Sequence, residues 1–138
     1  MAVERVTGLR VCRSAFRAAM DVFEASKTWP KEEHYALTDQ IRRSSRAVWA
    51  SFSEAWRKRR NLKHVVSKIS DADAEAAETR TWLRFARARE YVDPETFETL
   101  DQTCDRLCGG RVQMMRALDK GCGPSNTEQD PPLPYAAD

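Results

Sequence analysis

Glycine and histidine are scarce, at 5 and 2 of 138 residues. So little glycine, with 41% hydrophobic and 32% charged residues, suits a helix-rich globular chain of one domain. The two imidazoles, His34 and His64, fall at predicted loop or helix-end positions. No nucleophile stands with its base, no glycine loop is built to cradle a phosphate, and no acid pair is present, so no enzymatic activity is expected. Long apolar runs are also missing. No stretch approaches the roughly 20 residues of a membrane span, and Met1 to Arg10 lacks the apolar core of a signal peptide, which makes the cytoplasm the expected compartment. Cysteine is thinly spread: Cys12, Cys104, Cys108 and Cys122 do not have the spacing of a secreted disulfide framework, and free thiols are expected. Cys104 and Cys108 lie one helical turn apart, but two ligands are not four and both histidines are predicted to be distant. They read as small buried hydrophobes, with no metal and no cofactor.

What is present is helical periodicity. Leu9, Cys12, Phe16, Ala19 and Phe23 recur in steps of three and four, which predicts a first helix over about 7–26. Thr28-Trp29-Pro30 ends it, because the residue before proline avoids helical geometry while proline suits the first turn of the next helix. A second helix carries Leu37, Ile41, Ser44, Val48, Phe52 and Ala55 to a break near Arg60, either a tight turn or a continuation. The third reads Leu62, Val65, Ile69, Ala72, Ala76, Thr79, Leu83 and Ala86, its alanines permitting close approach of a neighbour. Asp93-Pro94, a capping acceptor followed by proline at the first helical position, starts the fourth. That helix carries Phe97, Leu100, Cys104, Leu107 and Leu118 and is weakened or bent at Gly109-Gly110. Four amphipathic rods with short connections predict an all-α, antiparallel up-down four-helix bundle over 7–120. Residues 121–138, rich in proline and without period, are expected to form a disordered tail. The tail holds the acids Glu128, Asp130 and Asp138 and no Lys or Arg, so the bundle is more basic than the whole-chain charge of +2.

Three constellations invite a functional reading. Arg57, Lys58, Arg59, Arg60 and Lys63 concentrate positive charge at the tip between the second and third helices. Such a run binds phosphates without sequence specificity, or else merely complements the negative pole of a helix end. Arg42 and Arg46 extend a basic line along the second helix. Beside them stand Trp49 and Trp56, offset by one residue from the Val48, Phe52 and Ala55 stripe; this widened apolar face predicts a surface for self-association formed with Phe52, the alternative being that both tryptophans belong to the core. Arg80, Arg84 and Arg87 form a further ladder that intrahelical partners such as Glu90 would explain.

The order of motifs resembles the four-helix family of 23S rRNA-intervening-sequence, or S23-like, proteins. The likeness is carried by Leu9 and Val11, Trp29-Pro30-Lys31-Glu32-Glu33, Leu37-Thr38-Asp39-Gln40-Ile41-Arg42-Arg43, Glu54, Glu78, Leu83, Ala86 and Tyr91. Departures are Ser51-Phe52-Ser53-Glu54-Ala55 in place of Asn-Ile-Ala-Glu-Gly, and Ala74-Glu75 in place of Gly-Ser. The resemblance implies a ring-like homopentamer without enzymatic activity. It is similar in this to accessory factors of diversity-generating retroelements, which bind a reverse transcriptase and nucleic acid. Gln40, Arg43 and Glu54 match the family's polar signature, and a structural network pairing Arg43 with Glu54 is expected.

Overall fold

The computed structural model describes residues 10–117. Helix α1 spans Arg10–Ser26, α2 Asp39–Arg57, α3 Leu62–Ala88, α4 Pro94–Cys108 and α5 Gly110–Ala117. A 3₁₀ turn (Lys31–Glu33) and a π-helical turn (His34–Thr38) lead into α2. The expected start of the first helix at Thr7, Leu118, Cys122 and the 121–138 tail lie outside the described residues.

Each boundary has a local cause. Pro30, extended at φ −61° and ψ 146°, redirects the chain after α1. Asn61 breaks the run between α2 and α3 and caps α3, its side chain accepting the His64 amide at 3.2 Å. The tight turn expected near Arg60 is therefore present. Asp93 caps α4 by accepting the Thr96 amide at 2.6 Å, with Pro94 following. This bond holds the Asp93 carboxyl below its usual range. At the end of α3 the chain reverses through Glu90, which has φ 62°, while the Tyr91 amide bonds back to the Ala86 carbonyl at 2.8 Å.

Short connections make successive helices antiparallel, and α1 packs on both α2 and α4 to close the bundle. The core has two parts. One gathers Val11, Phe52, Trp56, Val65, Ile69, Leu107 and Met114, and the other Val22, Trp29, Ile41, Leu83, Val92 and Leu100. Between them a buried hydroxyl pair, Ser44 and Thr79, joins α2 to α3 at 2.8 Å. The bend expected at Gly109-Gly110 is a full break between α4 and α5. A Cβ at Gly110 would meet the Val11 side chain and come within 2.7 Å of Phe52 Cζ, so only glycine lets α5 lie this close.

Two expectations about side chains need correction. Leu62, placed on the buried stripe of α3, is 60% exposed, and the core contact of that first turn comes from Val65, which is fully buried. Phe52 and Trp56, placed on an association surface, are at most 1% exposed and fill the core of a single chain. Trp49 is half-buried against that core.

Candidate nucleic-acid interface

The basic tip forms where α2 ends and α3 begins. Arg57, Lys58, Arg60 and Lys63 are exposed, and no carboxylate occurs from residue 57 to residue 63. Arg59 is held differently: its guanidinium lies 4.7 Å from the Trp56 ring, and Nη1 donates to the Trp56 carbonyl at 2.9 Å. That carbonyl lies in the last turn of α2, so Arg59 also serves the helix-end role that the bland reading assigned to the run.

Arg42 and Arg46 are not part of this tip. They lie at the start of α2, where Arg42 stacks over Phe23 at 4.4 Å and donates from Nε to Ser26 Oγ at 2.8 Å. Arg46 approaches the same ring at 5.6 Å. A rise of about 1.5 Å per residue puts Arg46 roughly 16 Å from Arg57 along the helix.

The expected polar network is divided among other partners. Arg43 and Glu54 share a face of α2 but stand roughly 16 Å apart along its axis, too far to pair. Arg43 instead reaches α3, with Nη2 at 2.6 Å from Glu78 Oε2. Its Nη1 is 3.8 Å from Glu75 Oε1, too long for a hydrogen bond, and that buried oxygen has no hydrogen-bond partner. Burial first, and the neighbouring Glu78 second, push the Glu75 carboxyl up. Glu54 ties the end of α2 to the start of α3 through His64 at 3.1 Å and Lys68 at 3.6 Å. The His64 hydrogen bond holds the Glu54 carboxyl below its ordinary value. Gln40 makes only a long 3.5 Å contact with the Tyr35 carbonyl.

Sequence reasoning missed the Arg80 clasp. Arg80 faces α4, with Nε and Nη2 on the two oxygens of Asp101 at 2.9 and 3.2 Å and Nη1 on Asp105 at 2.9 Å. The spacing of Asp101 and Asp105, one turn apart on α4, was the available signal. These bonds, Asp101 foremost, raise the Arg80 guanidinium above its ordinary value. Cys104 and Cys108 are free thiols, and burial pushes Cys104 up to about 12. Among the described residues no group of His, Cys, Asp and Glu is arranged to hold a metal, and no helix is long and apolar enough to cross a membrane.

The family model for the 23S rRNA-intervening sequence protein matches residues 7–110, which include the basic tip and the Arg80 helix. The chain belongs to this family. Among solved structures, a protein of unknown function from the S23 ribosomal protein family of Bacteroides thetaiotaomicron superposes with a TM-score of 0.67 at 21% identity, covering 77% of this chain and 95% of that one. That likeness shows the shared bundle. No curated protein matches.

Proposed function

We propose that this family member is a non-catalytic, oligomeric bundle protein that binds nucleic acid weakly and without sequence selectivity through Arg57, Lys58, Arg59, Arg60 and Lys63. The observation supporting this reading is the exposure of cations on a tip that carries no carboxylate from 57 to 63. Arg42 and Arg46 contribute only to a strand long enough to run along α2. Assembly multiplies a modest patch, since linked weak sites gain from effective concentration. On the family resemblance the assembly is a homopentamer, and the protein partner a reverse transcriptase.

Fluorescence anisotropy with mixed-sequence single-stranded RNA across a salt series tests the binding. With four exposed cations engaged, log affinity falls against log salt with a slope of about −3. Replacing Arg57, Lys58, Arg60 and Lys63 by Gln abolishes the signal. Absence of binding at low salt, or its survival in the quadruple variant, refutes the proposal.

A second reading, a scaffold that binds protein alone, is favoured by a different observation. Val66 and Val112, 52% and 51% exposed, flank a cleft of about 370 Å³ floored by Phe52, Ile69 and Leu107. Leu62, one turn before Val66, continues the apolar strip toward the tip. This strip takes over the association role expected of the α2 aromatics. A partner retained from nuclease-treated lysate, with no RNA binding by the purified chain, supports the scaffold.

A further inference from the structure

At the opposite end of α2 from the basic tip lies a cavity of about 430 Å³, between the end of α1 and the turns that precede α2. Its size falls in the roughly 300–1,000 Å³ range of small-molecule sites. Lys27, Lys31, His34 and Arg42 line it, and none of its lining residues is an Asp or Glu. Two of these side chains have carboxylates outside the wall: Lys27 meets Glu24 at 3.1 Å, and His34 stands 3.7 Å from Asp39. Lys31 is exposed. Arg42 uses Nε on Ser26, and the Phe23 ring covers a face of its guanidinium, so neither contact draws on the two terminal nitrogens.

The rest of the wall supplies hydroxyls and aromatic surface. Ser26 and Thr38 contribute hydroxyl groups, and Trp29, Pro30 and Tyr35 contribute ring surface. Even the orphaned polar atom of Trp29 is a donor: its Nε1 is buried and finds no acceptor. Tyr35 is 78% exposed and stands edge-on to His34, with ring centroids 4.7 Å apart. An exposed ring beside clustered cations is a surface on which a base can stack while its phosphate is neutralised.

We infer that this cavity binds a nucleoside monophosphate group, its phosphate between Lys31 and the terminal nitrogens of Arg42 and its base against Tyr35. The group comes either as a free nucleotide or as the 5′-phosphorylated end of a strand, and the chemistry of capture is the same. The inference is independent of the basic tip, since Arg57 lies roughly 22 Å from Arg42 along α2.

Calorimetric titration of the full chain with AMP, with adenosine as control, tests it. AMP binds and adenosine does not. Lys31→Gln and Arg42→Gln each weaken AMP by about tenfold, as expected for loss of one charge-assisted contact. Lys31 is exposed, so its variant remains informative if Arg42→Gln fails to fold. A variant with Lys58 and Lys63 changed to Gln binds AMP as the parent does. Competition then distinguishes the sources: displacement of AMP by a 5′-phosphorylated oligonucleotide, and not by its 5′-hydroxyl twin, supports the strand end, while AMP that neither displaces supports the free nucleotide. The inference is overturned if AMP gives no heat up to about 10 mM, if adenosine binds equally, or if Lys31→Gln binds AMP unchanged.

Discussion

Trp56 and Trp49 look interchangeable as residues two turns apart on one helix, yet burial gives them different work. Trp56 is fully enclosed, and its indole supports Arg59 from inside the tip. Trp56→Ala should cost about 3–5 kcal/mol in chemical denaturation, the usual range for a large aromatic removed from a core, and Trp49→Ala distinctly less. Among the described thiols, Cys12 and Cys104 are buried and Cys108 half-buried, so site-mapped alkylation should label Cys108 before Cys12 and Cys104. Linkage adds a second expectation. The Cys104 value in the folded chain, about 12, exceeds its ordinary 9.0, so its contribution to stability is intact below pH 9 and is lost as pH rises toward 12. Thermal melts of the parent and Cys104→Ala, compared between pH 8 and pH 11, check this: the parent's excess stability should shrink at the alkaline end.

Among the elements, the helix boundaries were the most legible part of the sequence. Asp93-Pro94 and Trp29-Pro30 act through neighbouring backbone alone, so their effect could be inferred without knowing the packing. Side-chain pairing was less legible. Arg43 was matched with Glu54 on its own helix, whereas its partner Glu78 belongs to the next one, and contacts between helices depend on rotation and register that periodicity leaves open. Trp56 illustrates the same limit: it was expected on an association surface, but it lies in one core cluster with Val65 and Ile69 of α3 and Met114 of α5. Two elements offer direct tests. Glu90 occupies the left-handed region that favours glycine, so Glu90→Gly should raise stability by about 0.5–1 kcal/mol. Gly110→Ala should lower it by about 1–3 kcal/mol, because the added methyl meets Val11 and Phe52 and α5 must lift. Equilibrium urea unfolding measures both.

For the whole molecule, the arrangement of exposed groups along α2 and α3 sets what can be bound at the same time. The cationic tip and the Leu62–Val66 strip adjoin, whereas the cavity near Lys31 lies at the far end. Changing Leu62, Val66 and Val112 to Ser should reduce the particle mass seen by light scattering while leaving the melting temperature within a few degrees, since all three are exposed in a single chain. An unchanged mass would remove that strip from the assembly surface. The same measurement with and without nuclease reports bound polyanion.

The middle of the face that α3 turns toward its neighbours carries small side chains, Ala72 and Ala76, both fully buried between the larger Ile69 and Leu83. Packing of Val65, Ile69 and Leu83 already fixes much of the register, and a slide of one turn, about 5.4 Å, would also break the Arg43–Glu78 and Glu54–His64 pairs. The Ser44–Thr79 hydrogen bond adds to that register: each hydroxyl also bonds a carbonyl of its own helix, Ile41 and Glu75, so a slip would cost the bond between helices and leave neither group unsatisfied. The two hydroxyls work as a polar catch within an apolar seam, and converting both to alanine should leave the bundle helical while lowering its stability in urea unfolding by about 1 kcal/mol.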